Sequence, residues 1–245
     1  MKERLDKLLV ERGLATTRER ARALILAGKV NIGGEAAPKA GTRVEGDAHI
    51  EVERPDHPYV SRGGVKMEAA LRTFGLVPTA WTAIDIGAST GGFTDCLLRH
   101  GAGHVFAVDV GYGQLAWELR NDPRVTVLER TNIRHLDPDT LGCSCDLAVM
   151  DVSFISLRLV LRHAVAFLKP EGHVLALVKP QFEAGREQVK RGGRVTDPAV
   201  HESVLAQVGE VADGLGLSPL GSMPSPITGK KSGNQEYFVL WRLAG

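Results

Sequence analysis

The sequence predicts an α/β protein in two parts: a small α+β domain over residues 1–54 and a doubly wound, mostly parallel sheet over residues 61–245. Three observations carry this. Beyond Ser61, short and nearly continuous apolar runs alternate with helical segments, the pattern of parallel strands buried on both faces. Before Arg54, two amphipathic helices precede short pieces of alternating polarity. Between the two parts, Pro55-Asp56-His57-Pro58 interrupts every periodicity, so residues 55–60 read as a linker.

In chain order, Leu5, Leu8 and Leu9 share one helical face, and Arg12-Gly13-Leu14 stops the segment with a C-terminal glycine. Thr16-Thr17-Arg18-Glu19 reads as a capping box for a second helix that buries Ala21, Leu24, Ile25 and Gly28. Val30 to Gly34 and His49 to Glu53 follow as short strands. In the second part, a helix begins near Ser61. The strands are then Ala83–Ile86, His104–Val108, Val125–Leu128, Leu147–Met150 and Val174–Val178. Leu217–Met223 and Tyr237–Trp241 are joined by Pro-, Ser- and Gly-rich sequence without a helix, which predicts an antiparallel pair at the sheet edge.

Composition narrows the function classes. Hydrophobic content of 43% and charged content of 24% are those of an ordinary globular chain. No run approaches the ~18 apolar residues of a membrane helix, and Met-Lys-Glu-Arg-Leu-Asp puts charges where a signal peptide needs apolar residues. A cytoplasmic protein with no membrane partner is expected. Cys96, Cys143 and Cys145 lack zinc spacing and read as reduced packing residues, so no metal is expected. The net charge is only +1, and any nucleic-acid surface must be a local concentration of cations.

Asp85-Ile86-Gly87-Ala88-Ser89-Thr90-Gly91-Gly92-Phe93 follows a strand and opens a helix, where glycines admit a ligand close to the backbone. Three residues separate Gly87 from Gly91-Gly92, which disfavours the dinucleotide fingerprint and with it a nicotinamide oxidoreductase. Asp109, with Val110 after it, ends the next strand, about 20 positions on, where a carboxylate meets ribose hydroxyls of a nucleoside cofactor. Asn132, just past the third strand, is placed for an adenine edge.

Four charges open toward the same rim: Lys66 near a helix start, Asp151 after the fourth strand, Lys179 after the fifth and Glu236 before the last. The C-terminal ends of parallel strands form the ligand crevice of such a sheet. A sugar hydroxyl is a weak nucleophile, so its methylation needs in-line positioning and removal of a proton. A lysine accepts a proton only in its neutral form, which burial and a neighbouring ammonium favour and carboxylates oppose. Lys179 is therefore the candidate base, oriented by Asp151, with Lys66 steadying the developing alkoxide and Glu236 positioning the lysines.

These residues carry a resemblance. Leu71 to Trp241 is similar to the FtsJ-type ribose methyltransferases, whose tetrad is Lys-Asp-Lys-Glu in this order. The whole chain resembles the TlyA family of ribosomal RNA 2′-O-methyltransferases, also labelled hemolysins. The carrying segments are Tyr59–Lys66, Asp85–Thr94, Asp109–Leu115, Asp151–Ser156, Lys179–Glu183 and Gly233–Phe238. The resemblance implies a class I, Rossmann-like methyltransferase fold with a seven-stranded sheet and S-adenosyl-L-methionine as donor. It also implies methylation of cytidine within ribosomal subunits. The end at Leu243-Ala244-Gly245, without the extra C-terminal helix of some relatives, leans toward the subtype acting on the large subunit.

Leu5–Leu9, Gly13–Ala15, Arg18, Ala21-Arg22 and Gly28–Val30 are similar to the S-four-type, or alpha-L, RNA-binding domain. Arg4, Arg18, Arg22 and Lys29 then become candidate phosphate contacts, joined by Arg62 and by Lys190 and Arg191. The last two sit in Gly185–Arg194, a Gly-rich cationic loop read as mobile until RNA orders it. Two other functions compete: a noncatalytic ribosome-assembly factor, which leaves the tetrad unexplained, and a membrane-active hemolysin, which lacks a spanning segment.

Overall fold

The structure, a computed structural model, describes residues 2–15, 17–52, 57–229 and 233–245. The chain divides into two compact units, Met1–Pro58 and Tyr59–Gly245. Thr16 and Glu53, and Pro55 and Asp56 of the expected linker, lie outside the described residues. The linker was also drawn too long. Tyr59 is buried against Gly64, and the Val60 amide donates to Asp95 Oδ2 at 2.8 Å, so both residues belong to the second unit.

In the first unit, β1 (Lys2–Arg4) leads into α1 (Leu5–Glu11), and α2 (Arg18–Leu26) follows. Next come β2 (Val30–Ile32), β3 (Glu35–Ala36), β4 (Arg43–Glu45) and β5 (Ile50–Val52). β2 is paired antiparallel with β3 and β5, and β1 with β4. Leu5, Leu8 and Leu9 meet Ala21, Ile25, Val30, Val44 and Ile50 in one core. Thr17, one residue later than the expected cap, closes α2: its hydroxyl accepts from the Arg20 amide at 3.1 Å. The β1–β4 ladder escaped the sequence because each strand is three residues long and carries charges at its exposed positions.

The second unit holds a seven-stranded sheet among the described residues, in the order β11-β12-β10-β9-β6-β7-β8. β6 (Thr82–Ile86), β7 (His104–Val108), β8 (Val125–Leu128), β9 (Cys145–Met150) and β10 (Leu168–Val178) are parallel neighbours. β12 (Tyr237–Leu243) runs antiparallel to β10, and β11 (Leu217–Pro224) to β12. At this edge, β11 carries Pro219 and Pro224, and its register slips between Pro219 and Gly221.

Each face of the sheet has its own core. α3 (Arg62–Phe74) and α4 (Gly92–Arg99) bury Met67, Leu71, Phe93 and Leu97 against Leu147, Leu175 and Phe238. α6 (Leu157–Ala164) and α8 (Pro198–Asp213) bury Leu161 and Val208 with Ile84, Met150, Val174 and Trp241. Two single turns complete the unit: α5 (Trp117–Arg120) lies between β7 and β8, and α7 (Pro180–Glu183) between β10 and α8. This two-sided burial explains the nearly unbroken apolar strands. No helix of the described residues is long and apolar enough to cross a membrane.

The chain steps from β6 outward through β7 and β8, then crosses back to β9 and β10 on the other side of β6. That reversal opens a crevice between the C-terminal ends of β6 and β9. Asp85, on β6 just below it, is buried; burial pushes its carboxyl up to about 7, hydrogen bonds from Thr94 oppose the rise, and Asp151 and Asp109 add to it.

Cys96 and Cys145 are buried, which pushes both thiols up to about 12, whereas Cys143 is exposed and is not the packing residue expected. A thiol reagent at pH 8 should therefore label Cys143 and spare the other two until the protein unfolds; labelling of Cys96 in the folded state contradicts this. Folded Asp85 keeps its proton to a higher pH than the unfolded chain does, so stability falls as pH rises from ~4 to about 7. Asp85→Asn keeps an acceptor for Thr94 and cannot ionise. It should raise stability at pH 8 by on the order of 1–3 kcal/mol and leave it unchanged at pH 4. Equal unfolding midpoints at pH 8 would rule this out.

Candidate active site

The crevice is lined first by the turn after β6. Gly87 has φ +88°, and a Cβ there would stand 2.8 Å from the Asp151 carbonyl oxygen, so only glycine lets the turn lie against the end of β9. The Asp151 amide donates to Ile86 O at 3.1 Å, and the amides of Gly87 and Ala88 donate to Val108 O at 2.9 and 3.1 Å. The turn is thus fastened to strands on both sides. Gly91, also at positive φ, caps α4, and its missing side chain leaves room for Leu115 and Leu119.

Gly92 fits an equally tight contact. A Cβ there would meet the Gly64 amide nitrogen at 2.8 Å and Gly63 Cα at 2.9 Å, so the starts of α3 and α4 dock backbone to backbone. This contact places Lys66, one turn into α3, beside the glycine turn. Ser61 caps α3 by accepting from the Gly63 amide at 3.3 Å.

The candidate cofactor residues divide by position. Asp85 Oδ2 accepts from the Thr94 amide at 3.0 Å and the Thr94 hydroxyl at 2.7 Å, while its buried Oδ1 has no hydrogen-bond partner. Asp109 accepts from the Ser89 amide at 2.7 Å and the Gly111 amide at 2.6 Å, which fixes the carboxylate at the tip of β7. Ser89 and Val110 are exposed there, with Thr90 between Ser89 and Gly91 in the turn. Phe93 is different: its ring is buried on Phe238, 5.9 Å between centroids, so its side chain belongs to the core. Asn132 Oδ1 accepts from the Arg134 amide at 3.1 Å and caps a short turn over Ile133–His135.

The four charged residues form two ion pairs at adjacent strand ends. Lys66 Nζ donates to Glu236 Oε2 at 2.5 Å. Lys179 Nζ stands 2.5 Å from Asp151 Oδ1 and donates to Ser153 Oγ at 2.9 Å. The Asp151 contact is an ion contact without hydrogen-bond alignment. Val178 pairs with Tyr237 across β10 and β12, so Lys179 and Glu236 leave neighbouring strands at the same level. Lys179 and Glu236 are buried, and losing either partner of such a pair strands the other at a cost of roughly 3–5 kcal/mol. Two such pairs side by side mark this rim as a candidate functional site.

Three residues shape this rim without having been assigned a role from sequence. Glu183, buried at the end of α7, accepts from Ser156 Oγ at 2.6 Å, the Leu157 amide at 2.5 Å and Arg158 Nε at 3.3 Å. It thereby binds the segment after Asp151 to the segment after Lys179. Phe154, 89% exposed and at φ +63°, packs its ring on Phe182 with centroids 5.3 Å apart. A bulky residue in that backbone region is strained, and such strain gathers at functional sites. Buried Asn234 donates to Gly193 O at 2.7 Å and accepts from the Val195 amide at 3.1 Å. The cationic loop read as mobile is thus a hairpin, bridged between Lys190 and Arg194 and anchored next to Glu236.

The cations assigned to RNA fall in both units. Arg4, Arg18 and Arg22 of the first unit converge on Asp6, and Lys29 is exposed after α2. In the second unit Arg62 is exposed at the start of α3, Lys190 Nζ donates to Thr196 Oγ1 at 2.7 Å, and Arg191 is exposed in the hairpin.

Comparison with known proteins agrees with this architecture. The FtsJ-like methyltransferase family profile matches residues 59–243, and the S4 domain profile matches residues 3–50. The chain is 48% identical, over 97% of its length and 88% of the relative's, to the 16S/23S rRNA (cytidine-2′-O)-methyltransferase TlyA of Mycobacterium tuberculosis. A solved hemolysin-named protein from Streptococcus thermophilus superposes with a TM-score of 0.76 at 44% identity, covering 99% of this chain and 89% of that one. A Burkholderia thailandensis N-methyltransferase, solved with S-adenosylhomocysteine, shares the fold at 20% identity and a TM-score of 0.52 over 75% of this chain and 79% of that one. With a matching profile over most of its length and the fold of that family, the chain belongs to the FtsJ-like methyltransferases and carries an S4 domain ahead of the methyltransferase domain.

Proposed function

We propose that this enzyme methylates the 2′-hydroxyl of a cytidine ribose in ribosomal RNA, within ribosomal subunits in the cytoplasm, using S-adenosyl-L-methionine. The observation that carries the reading is the pair of ion pairs, Lys66–Glu236 and Lys179–Asp151, set beside the glycine turn. The relative from M. tuberculosis, whose name states this reaction, supports the substrate.

The residues at the turn suit the donor. Asp85 offers a buried oxygen without a partner, Gly87 to Gly92 offer close backbone approach, and Asp109 offers a fixed carboxylate for ribose hydroxyls. Ala88, Ser89, Thr90 and Val110 complete that wall, Phe93 takes part through its backbone, and Asn132 stands at the tip of β8 for the base. When bound, the donor supplies an electrophilic methyl on a sulfonium. The protein's own task is the sugar hydroxyl.

Lys179 accepts the hydroxyl proton, which requires that its amine first be neutral. Asp151, 2.5 Å away, and Ser153, at 2.9 Å, hold Nζ at the strand end and fix its direction. Lys66, kept in place by Glu236, offers positive charge to the oxygen as it loses its proton. Phe154 on Phe182 gives the rim an aromatic face on which an unstacked nucleobase can lie. Arg62, Lys190 and Arg191 offer phosphate contacts on this unit, and Arg4, Arg18, Arg22 and Lys29 on the other.

Labelled methyl transfer to subunits lacking the modification, followed by mapping of methylated riboses, tests the assignment. Lys179→Ala should lower turnover by at least ~10²-fold while donor binding by calorimetry persists. A rate within a few-fold of wild type would remove Lys179 as the base, and no transfer by the wild-type enzyme to either subunit would sink the reading.

A further inference from the structure

Within the N-terminal unit, the arginines assigned to RNA are organised by a residue with no expected part in binding. Asp6 lies on α1 between Leu5 and Leu8 and is fully buried. A buried carboxylate persists only where donors replace its lost hydration. Here they come from two elements: Arg4 closes β1, while Arg18 and Arg22 stand one turn apart on α2. Arg4 donates to Asp6 from Nε at 3.0 Å and Nη2 at 2.9 Å, Arg18 from Nη2 at 3.3 Å and Arg22 from Nε at 3.1 Å. These partners, Arg4 foremost, hold the Asp6 carboxyl well below the usual range despite its burial, so it stays ionised.

The stoichiometry is uneven. A carboxylate has about four lone-pair sites, and each guanidinium has about five N–H groups. Most donors of the cluster are therefore left over, on arginine side chains that remain 45, 48 and 53% exposed. Three guanidiniums drawn to one point repel one another, and the carboxylate between them offsets that repulsion and removes rotamer freedom from each. The result is a net cationic patch whose planar forks are held before any ligand arrives, the condition for bidentate capture of a phosphate.

We propose that Arg4, Arg18 and Arg22 form one prebuilt phosphodiester-binding site and that Asp6 is its positioning residue. The proposal rests on the reading of this unit as RNA-binding and makes a claim that simple charge attraction does not. Asp6→Asn adds a positive charge to the patch. If cationic charge alone binds RNA, affinity rises; if organised forks bind it, affinity falls.

The test uses the full chain without methyl donor and a labelled RNA hairpin with a double-stranded stem, titrated over a range of salt. Asp6→Asn should weaken binding roughly tenfold, and Arg18→Lys and Arg22→Lys, which keep the charge but lose the fork, should each weaken it comparably. The slope of log K against log salt should become shallower for all three. Equal or tighter binding by Asp6→Asn overturns the proposal, as does wild-type affinity in both lysine variants. Should Asp6→Asn fail to fold, as judged by circular dichroism, the half-exposed Arg18 and Arg22 variants decide alone. No methyl group moves in this measurement, so an enzyme inactive on subunits that still shows this pattern would refute the proposed activity and leave the site standing.

Discussion

Gly87 and the carbonyl of Asp151 touch across the crevice, and the arrangement of the active site depends on that contact. One strand end delivers the glycine turn and the next delivers the Asp151 carboxylate. They meet because a residue without a side chain, at φ +88°, stands between them. Any Cβ would force apart the β6 and β9 tips, whose spacing is otherwise set by the ladder from Ala83–Leu147 to Ile86–Met150. Lys66 is brought to the same place by a second backbone contact, Gly92 on Gly63 and Gly64. A sheet register and two glycine contacts thus convert three distant sequence positions into neighbours.

The loops beyond the strands are held by buried polar side chains. Glu183 gathers Ser156, Leu157 and Arg158, so the segments leaving β9 and β10 are joined through one side chain. Asn234 fastens the Lys190–Arg194 hairpin to the approach of β12. Each uses a side chain to satisfy backbone groups that irregular segments would otherwise leave unpaired. The four charged residues are thus flanked on both sides by hydrogen-bonded loops.

The elements legible in the sequence were those set by periodicity. Parallel strands such as His104–Val108 and Val125–Leu128 read as apolar runs with the boundaries that the structure has. The convergence of Asp151, Lys179 and Glu236 was legible because they sit at strand tips, where position follows from topology, whereas Lys66 stands on α3. Long-range polar contacts were not. Nothing near Asp6 in sequence announces that Arg18 and Arg22 fold back onto it, and an acid among leucines on a short helix reads as a solvated charge. Glu183 and Asn234 are hidden for the same reason, since their partners lie 25 to 41 positions away. The burial of the Phe93 ring was equally hidden, because its partner Phe238 lies on a distant strand.

The outer strand of the large sheet has a consequence for the molecule's life among its neighbours. A sheet ending in a flat, unpaired ribbon invites another chain to add itself, the first step toward intermolecular stacking. β11 forms that border with two prolines, at positions 219 and 224, and a slipped register between Pro219 and Gly221. Proline presents no N–H to an incoming strand, and the irregular register breaks the even ladder that such a strand would have to follow. The segment that completes the fold at this edge therefore offers no even ladder on which a second chain could build.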